Sequence, residues 1–326
     1  MVFKSSKTFF RRWWLKENSN TTSFRATQQG FTLIELLIAM VVGSIIIGSL
    51  LYVVVELLQI NRREELLTQT QQDMRRAIDY IVRDVSEAVF VYADPANVVG
   101  RITDPPQNTP DATPILAFWR LDPLSQAELD TLDGINCAGA TAARCETLKI
   151  RQSTYTLVIY YHAENPPGGT GLWNGPARIV RYELPQYADL GNFVQRAGYS
   201  DPSLTGDFSN WANDPDFAGV ATNGSKAVLT DFVDSSDGVP TCNNPDDYVL
   251  SPGAPNSFFT CVRTGEIDDA DEVLALRTNQ SIRVFLRGNA QTSRFGITAF
   301  SESGQLPALD SEVFIRGVLQ RQPPGS

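Results

Sequence analysis

The pattern of apolar and polar positions changes twice along this chain. From Phe31 to Val55 it runs twenty-five residues with Glu35 as the only charge. That length and composition predict one helix able to cross a bilayer. From about Asn61 the pattern becomes amphipathic. Leu67, Met74, Ile78, Ile81, Val85, Ala88 and Tyr92 recur at spacings of three, four and seven, which is the apolar stripe of a surface helix. Arg75, Arg76, Asp79, Arg83 and Glu87 lie opposite, with Arg75/Asp79, Asp79/Arg83 and Arg83/Glu87 spaced to pair one turn apart. No proline interrupts the chain from Phe31 until Pro95, so one unbroken helix is predicted over residues 31–92, about 90 Å long. Gly43 and Gly48 are points where it can loosen. Such a helix exceeds a bilayer, and the stripe predicts that its outer half docks on the chain's own globular part. A coiled-coil partner is the competing reading, for which the stripe is short.

Beyond Asp94-Pro95, turn formers punctuate short β-like runs: Asp104-Pro105-Pro106, Pro110, Asn165-Pro166-Pro167-Gly168-Gly169, Asn174-Gly175-Pro176 and Ser251-Pro252-Gly253. The predicted strands are Pro114–Trp119, Tyr155–Tyr161, Ala177–Leu184, Ala227–Val233, Ser281–Leu286 and Val313–Leu319, with the second and third pairing across the Pro/Gly-rich loop. Residues 186–225, rich in Asp, Asn, Gly and Ser, read as a large insertion, and the tail from Gln322 as frayed. The predicted fold class is α+β: a long N-terminal helix, membrane-embedded over about residues 31–55, packed on a β-rich domain of residues 93–326.

Charge adds a direction. Residues 1–30 hold six basic residues (Lys4, Lys7, Arg11, Arg12, Lys16, Arg25) against Glu17, a net of +5; the chain's −10 therefore leaves −15 for the remainder. Basic before the span and acidic after it predict a cytoplasmic N-terminus and a body on the other side. An acidic body also argues against nucleic acid as a partner. Cys137, Cys145, Cys242 and Cys261 all follow the span. An even number outside predicts two disulfides, and local pairing of 137 with 145 and 242 with 261 is expected because each pair flanks one loop-like stretch.

Signs of catalysis are sparse. His162 is the single histidine; it ends a strand-like run and is expected at the surface. With no second histidine, no CxxC and no GxSxG, neither a zinc site nor a triad is predicted. Gly168-Gly169-Thr170-Gly171 lacks the lysine of a phosphate loop and reads as a turn. No cofactor is expected, with Ca²⁺ the one candidate: Asp231, Asp234 and Asp237 cluster, and Asp268, Asp269, Asp271 and Glu272 form a second acidic group. Neither has EF-hand spacing, and a solvated acidic loop is the competing reading. Trp119, Trp173 and Trp211 offer surfaces for stacking sugars or, by default, for packing.

Glu35 is the odd residue, because an ionised carboxylate inside an apolar span is costly unless paired. Gly30-Phe31-Thr32-Leu33-Ile34-Glu35 resembles the processing site of type IV pilins and of type II secretion pseudopilins. The resemblance implies a leader of residues 1–30, cut between Gly30 and Phe31 by the prepilin peptidase, then methylation of the Phe31 amine and assembly with other pilins through Glu35. The leader is polar, without the apolar core that a secretory signal peptide carries before its cut. Further runs, among them Ala77-Ile78-Asp79-Tyr80-Ile81-Val82-Arg83-Asp84, Pro114-Ile115-Leu116-Ala117-Phe118-Trp119-Arg120 and Val284-Phe285-Leu286-Arg287-Gly288-Asn289-Ala290, are similar to the cyanobacterial minor pseudopilins of hormogonium polysaccharide secretion. The last run also resembles W-type minor pilins and, distantly, J-type pseudopilins. These likenesses imply a structural, non-enzymatic subunit in the inner membrane, serving polysaccharide secretion and gliding motility. The alternatives are a W-type minor pilin of the pilus itself, or a membrane-anchored carbohydrate-binding or hydrolytic domain.

Overall fold

The computed structural model describes residues 30–100, 102, 112–166, 172–203, 208, 211, 224–236, 238–242, 248–254, 257–263, 281–290 and 306–315. The chain divides into two compact units at Gln59/Ile60. Helix α1, Leu33–Ser86, passes through both.

In the first unit no described side chain of α1 is buried within the chain. Its residues are mostly aliphatic, and none of the described residues covers them. Ser44 and Ser49 donate their hydroxyls back to the Val41 and Ile46 carbonyls. Both serine hydroxyls are thereby satisfied within the helix, as a lipid environment requires.

The second unit begins with the docked part of α1. Thr70, Met74, Ala77, Ile78, Ile81, Asp84 and Val85 are buried. The apolar stripe predicts four of these, and Leu67 at its start is half-exposed. The helix ends at Ser86, short of the predicted Tyr92. Ala88–Val91 is instead strand β1, because its β-branched and aromatic side chains fit a pleated sheet better than a helix turn. Tyr92 meets the helical spacing by coincidence. It belongs to a different cluster, where it receives a hydrogen bond from Trp119 Nε1 and donates one to the Phe208 carbonyl.

A short helix, α2 (Ala96–Val99), leads to β2 (Ala112–Pro123). Then come α3 (Gln126–Asp133), α4 (Ala142–Arg151), β3 (Ser153–Glu164) and β4 (Ala177–Leu184). After the small hairpin of β5 (Tyr187–Asp189) and β6 (Val194–Gln195) follow β7 (Ser225–Val233), β8 (Tyr248–Ser251), β9 (Phe258–Arg263), β10 (Ser281–Leu286) and β11 (Leu309–Phe314). The pairings are antiparallel. One sheet has the order β1-β2-β3-β4-β7 and the other β11-β10-β9-β8. The expected pairing of β3 with β4 holds, in register from Leu157 opposite Leu184 to Glu164 opposite Ala177. The last strand starts earlier than predicted, at Leu309, because Leu309, Ser311 and Val313 continue the alternation; residues 316–319 of that prediction lie outside the described residues.

Long β2 and β3 are buried on both faces, hence their near-continuous apolar runs. Ile115, Phe118, Val158, Tyr160 and Ile179 meet α1 and the second sheet, represented by Phe258, Val262, Ile282, Val284 and Leu286. Ala117, Trp119, Leu157, Ile159, Tyr161 and Tyr182 face the other way, under Tyr92, Val98, Tyr199 and Trp211. The stretch read as an insertion thus supplies a lid for the larger sheet. Trp211 is fully buried and bonds the Ser200 carbonyl through its indole N–H.

Helices α3 and α4 were not legible as separate elements. Ser125 and Glu128 close a capping box at the start of α3, and Cys137 is joined to Cys145 of α4. A second disulfide joins Cys242 to Cys261 of β9.

Candidate functional site

Each unit carries its own candidate: the N-terminal junction in the first and, in the second, the anchor that holds α1 to the sheets. At the junction Phe31 is 83% exposed. A side chain built on Gly30 would meet nothing within 4 Å, so this chain's own packing does not call for glycine there. Thr32 starts the helix: its carbonyl accepts from the Glu35 and Leu36 amides, and its Oγ1 accepts from the Glu35 amide at 3.4 Å. Thr32-Leu33-Ile34-Glu35 therefore has the spacing of a capping box. Glu35 sits in the first turn, where a carboxylate is favoured by the helix dipole. The T-x-x-E spacing is the sequence signal for this local role.

The anchor was not foreseen. Asp84, 6% exposed, sits on the buried face of α1. Tyr160 donates its hydroxyl to the Asp84 carboxylate at 2.6 Å, Arg181 Nε donates at 2.7 Å, and Arg120 pairs with the other oxygen. Arg120 also reaches Asp122 and Glu183, and Arg181 reaches Glu183. Strands β2, β3 and β4 each contribute to this network, so one carboxylate ties the helix to three strands. Burial pushes the Asp84 carboxyl up, but hydrogen bonds from Arg181 and Tyr160, with the charges of Arg181 and Arg120, outweigh it and hold it below its ordinary 3.8. Burial and the adjacent Asp84 charge push the Tyr160 hydroxyl far above its usual range, so it remains a donor. A lone acidic residue interrupting an apolar stripe was the only sequence signal.

His162 is a correction. It is 1% exposed, because β3 is covered on both faces and runs on to Glu164. Its Nε2 lies 2.9 Å from the Asp234 carbonyl and 3.4 Å from Ser257 Oγ. The Asp234 carboxylate is engaged elsewhere, by Arg287, Ser236 and Asn289. This is a buried structural histidine, and among the described residues no carboxylate orients it as in a catalytic triad.

The calcium candidates are apart in role. Asp231 accepts from Asn165 and from the Asn174 and Gly175 amides, so it shapes the β3–β4 connection, while Asp234 serves the network above. Asp237 and the cluster at 268–272 lie outside the described residues. Among the described residues no group of three or more potential ligands gathers. Trp119 and Trp211 are fully buried and pack edge to face at 5.4 Å; Trp173 is half-buried beside Arg178.

Residues 25–51 match the model of the prokaryotic N-terminal methylation motif, the prepilin-type signal of type IV pilin-like proteins. No curated protein and no solved structure matches the chain. Helix α1 is long and apolar enough over its first part to cross a membrane. Motif and helix together support a pilin- or pseudopilin-like subunit with a single membrane-anchoring helix, of a class whose role is structural rather than enzymatic.

Proposed function

We propose that the chain is a minor pilin or pseudopilin that is cut after Gly30, methylated on Phe31 and assembled with other pilin-like subunits through its N-terminal helix. The observation that carries this reading is the motif at residues 25–51 set at the head of an apolar helix face that none of the described residues covers. The membrane stores the subunit, and burial of that face against neighbouring helices drives assembly. The basic leader and acidic body favour a cytoplasmic N-terminus in the inner membrane. Within the class, similarity in α1, β2 and β10 favours the cyanobacterial system for polysaccharide secretion and gliding motility; a W-type minor pilin of the type IV pilus is the second reading, favoured by Val284–Ala290 alone. Mass spectrometry of the protein extracted from a host with active prepilin peptidase should find methylated Phe31 at the N-terminus, and pull-down should recover other pilin-like chains. An intact leader in such a host would sink the proposal.

A further inference from the structure

A groove of about 450 Å³ lies between the docked part of α1 and β7, within the size range of small-ligand sites. Tyr80 from the helix and Trp173 from the β3–β4 connection both line it. Each ring carries an arginine: Arg181 lies 5.7 Å from the Tyr80 centroid and Arg178 lies 5.8 Å from the Trp173 centroid. Both arginines lie within cation–π range of their rings. The arginines are themselves held, Arg181 by Asp84 and Glu183 and Arg178 by Asn165. The two aromatic surfaces are therefore fixed before any ligand arrives, which limits the entropy lost on binding.

The polar lining narrows the ligand. Asp73 and Arg76 pair at 3.6 Å, and Asp231 is the second carboxylate in the wall. One paired cation against two carboxylates disfavours phosphate, sulfate or uronate. A wholly apolar ligand would strip water from Asp73 and Arg76 without replacing its hydrogen bonds. A neutral ring with an apolar C–H face and a hydroxylated edge satisfies both constraints: the face lies on an aromatic ring, and the hydroxyls meet the carboxylate and guanidinium. We propose that this groove binds a neutral oligosaccharide, with Trp173 and Tyr80 as stacking surfaces and Asp73 and Arg76 as its hydrogen-bonding rim. The site does not depend on filament assembly, since every group it uses lies in the second unit.

The test uses the full chain in micelles of a phosphocholine detergent, which has no sugar head group. Calorimetry and tryptophan fluorescence follow titration with neutral gluco-, xylo- and galacto-oligosaccharides, and with oligogalacturonate and a sulfated oligosaccharide as charged counterparts. At least one neutral series should bind below about 1 mM. Trp173→Ala and Tyr80→Ala should each weaken it about tenfold, and Trp173→Phe should retain most of it. Arg76→Ala, on an exposed residue that packs into no core, should weaken it about threefold; this variant and Trp173→Phe decide the matter where Trp173→Ala unfolds. The proposal is overturned by no neutral binding at that concentration, by preference for the charged series, or by wild-type affinity in folded Trp173→Ala or in Arg76→Ala.

Discussion

At the scale of single residues, Glu35 has two accounts that predict different things. In one, its charge is matched by a neighbouring subunit, and the methylated amine of Phe31 is the cation that the pilin resemblance supplies. In the other, it completes a cap with Thr32, whose Oγ1 already accepts from the Glu35 amide. Losing such a cap costs about 1 kcal/mol of helix stability. Three variants separate them. Glu35→Gln keeps a residue able to close a capping box but removes the charge; Thr32→Ala removes the cap and keeps the charge; Glu35→Ala removes both contributions of that side chain. If charge pairing drives assembly, Glu35→Gln and Glu35→Ala should insert and be processed yet lose co-purifying pilins, while Thr32→Ala retains them. Wild-type recovery with Glu35→Gln beside loss with Thr32→Ala would assign the residue to capping instead.

At the scale of elements, the decisive junction is α1 against β2, β3 and β4. Ile81 and Val85 are fully buried there, each contributing about 1.5–3 kcal/mol by burial. Those contacts set depth but leave rotation and sliding of the helix poorly specified. Asp84 specifies both, because its two oxygens are divided between Arg120 and the Arg181/Tyr160 pair. Asp84→Asn keeps the shape but removes the central anion, leaving buried Arg181 with Glu183 and half-buried Arg120 with Asp122 and Glu183. It should cost about 3–5 kcal/mol, read as a lowered thermal midpoint and faster hydrogen exchange over residues 70–86. A loss below about 1 kcal/mol would mean the network is incidental. The folded carboxyl lies below its ordinary 3.8, so its contribution is present above that pH and disappears as acid protonates it.

At the scale of the whole molecule, the two sheets meet around His162 on β3, with Ser257 preceding β9 and Asp234 following β7. Burial lowers its pKa below 6.5, opposed in part by the bond to the Asp234 carbonyl and by the Asp234 charge. The unfolded chain therefore takes up a proton near pH 6.5 before the folded one does. Stability from neutral His162 is full above that pH and is lost as pH falls toward the folded pKa, by at most about 1.4 kcal/mol per pH unit. Because the chain has one histidine and Asp84 and Asp234 act below 3.8, unfolding midpoints between pH 7 and 5 isolate it. Wild type should lose stability across that window and His162→Gln should not; equal slopes would refute the assignment.

Two kinds of information divide here. Local physics was legible in the residues. Twenty-five consecutive residues with one carboxylate as their only charge define a span, and the prepilin-type signal lies on consecutive residues. The period of 3.6 places Met74, Ile78, Ile81 and Val85 on one face, and alternation marks β10 as a strand. These features depend on neighbours in sequence, so they can be read from it. The end of α1 could not, because Ala88–Val91 fits a helical spacing and becomes strand only by pairing with β2. Nor could the burial of His162, which depends on a second sheet reaching β3 from more than seventy residues away, or the role of Asp84, whose partners Arg120, Tyr160 and Arg181 are scattered over three strands. Trp211 likewise lies in a stretch whose composition reads as loop, and only the exposed face of the larger sheet gives it something to cover. Charge neutralisation and burial are sums over neighbours in space, and those neighbours are assembled only by the tertiary fold.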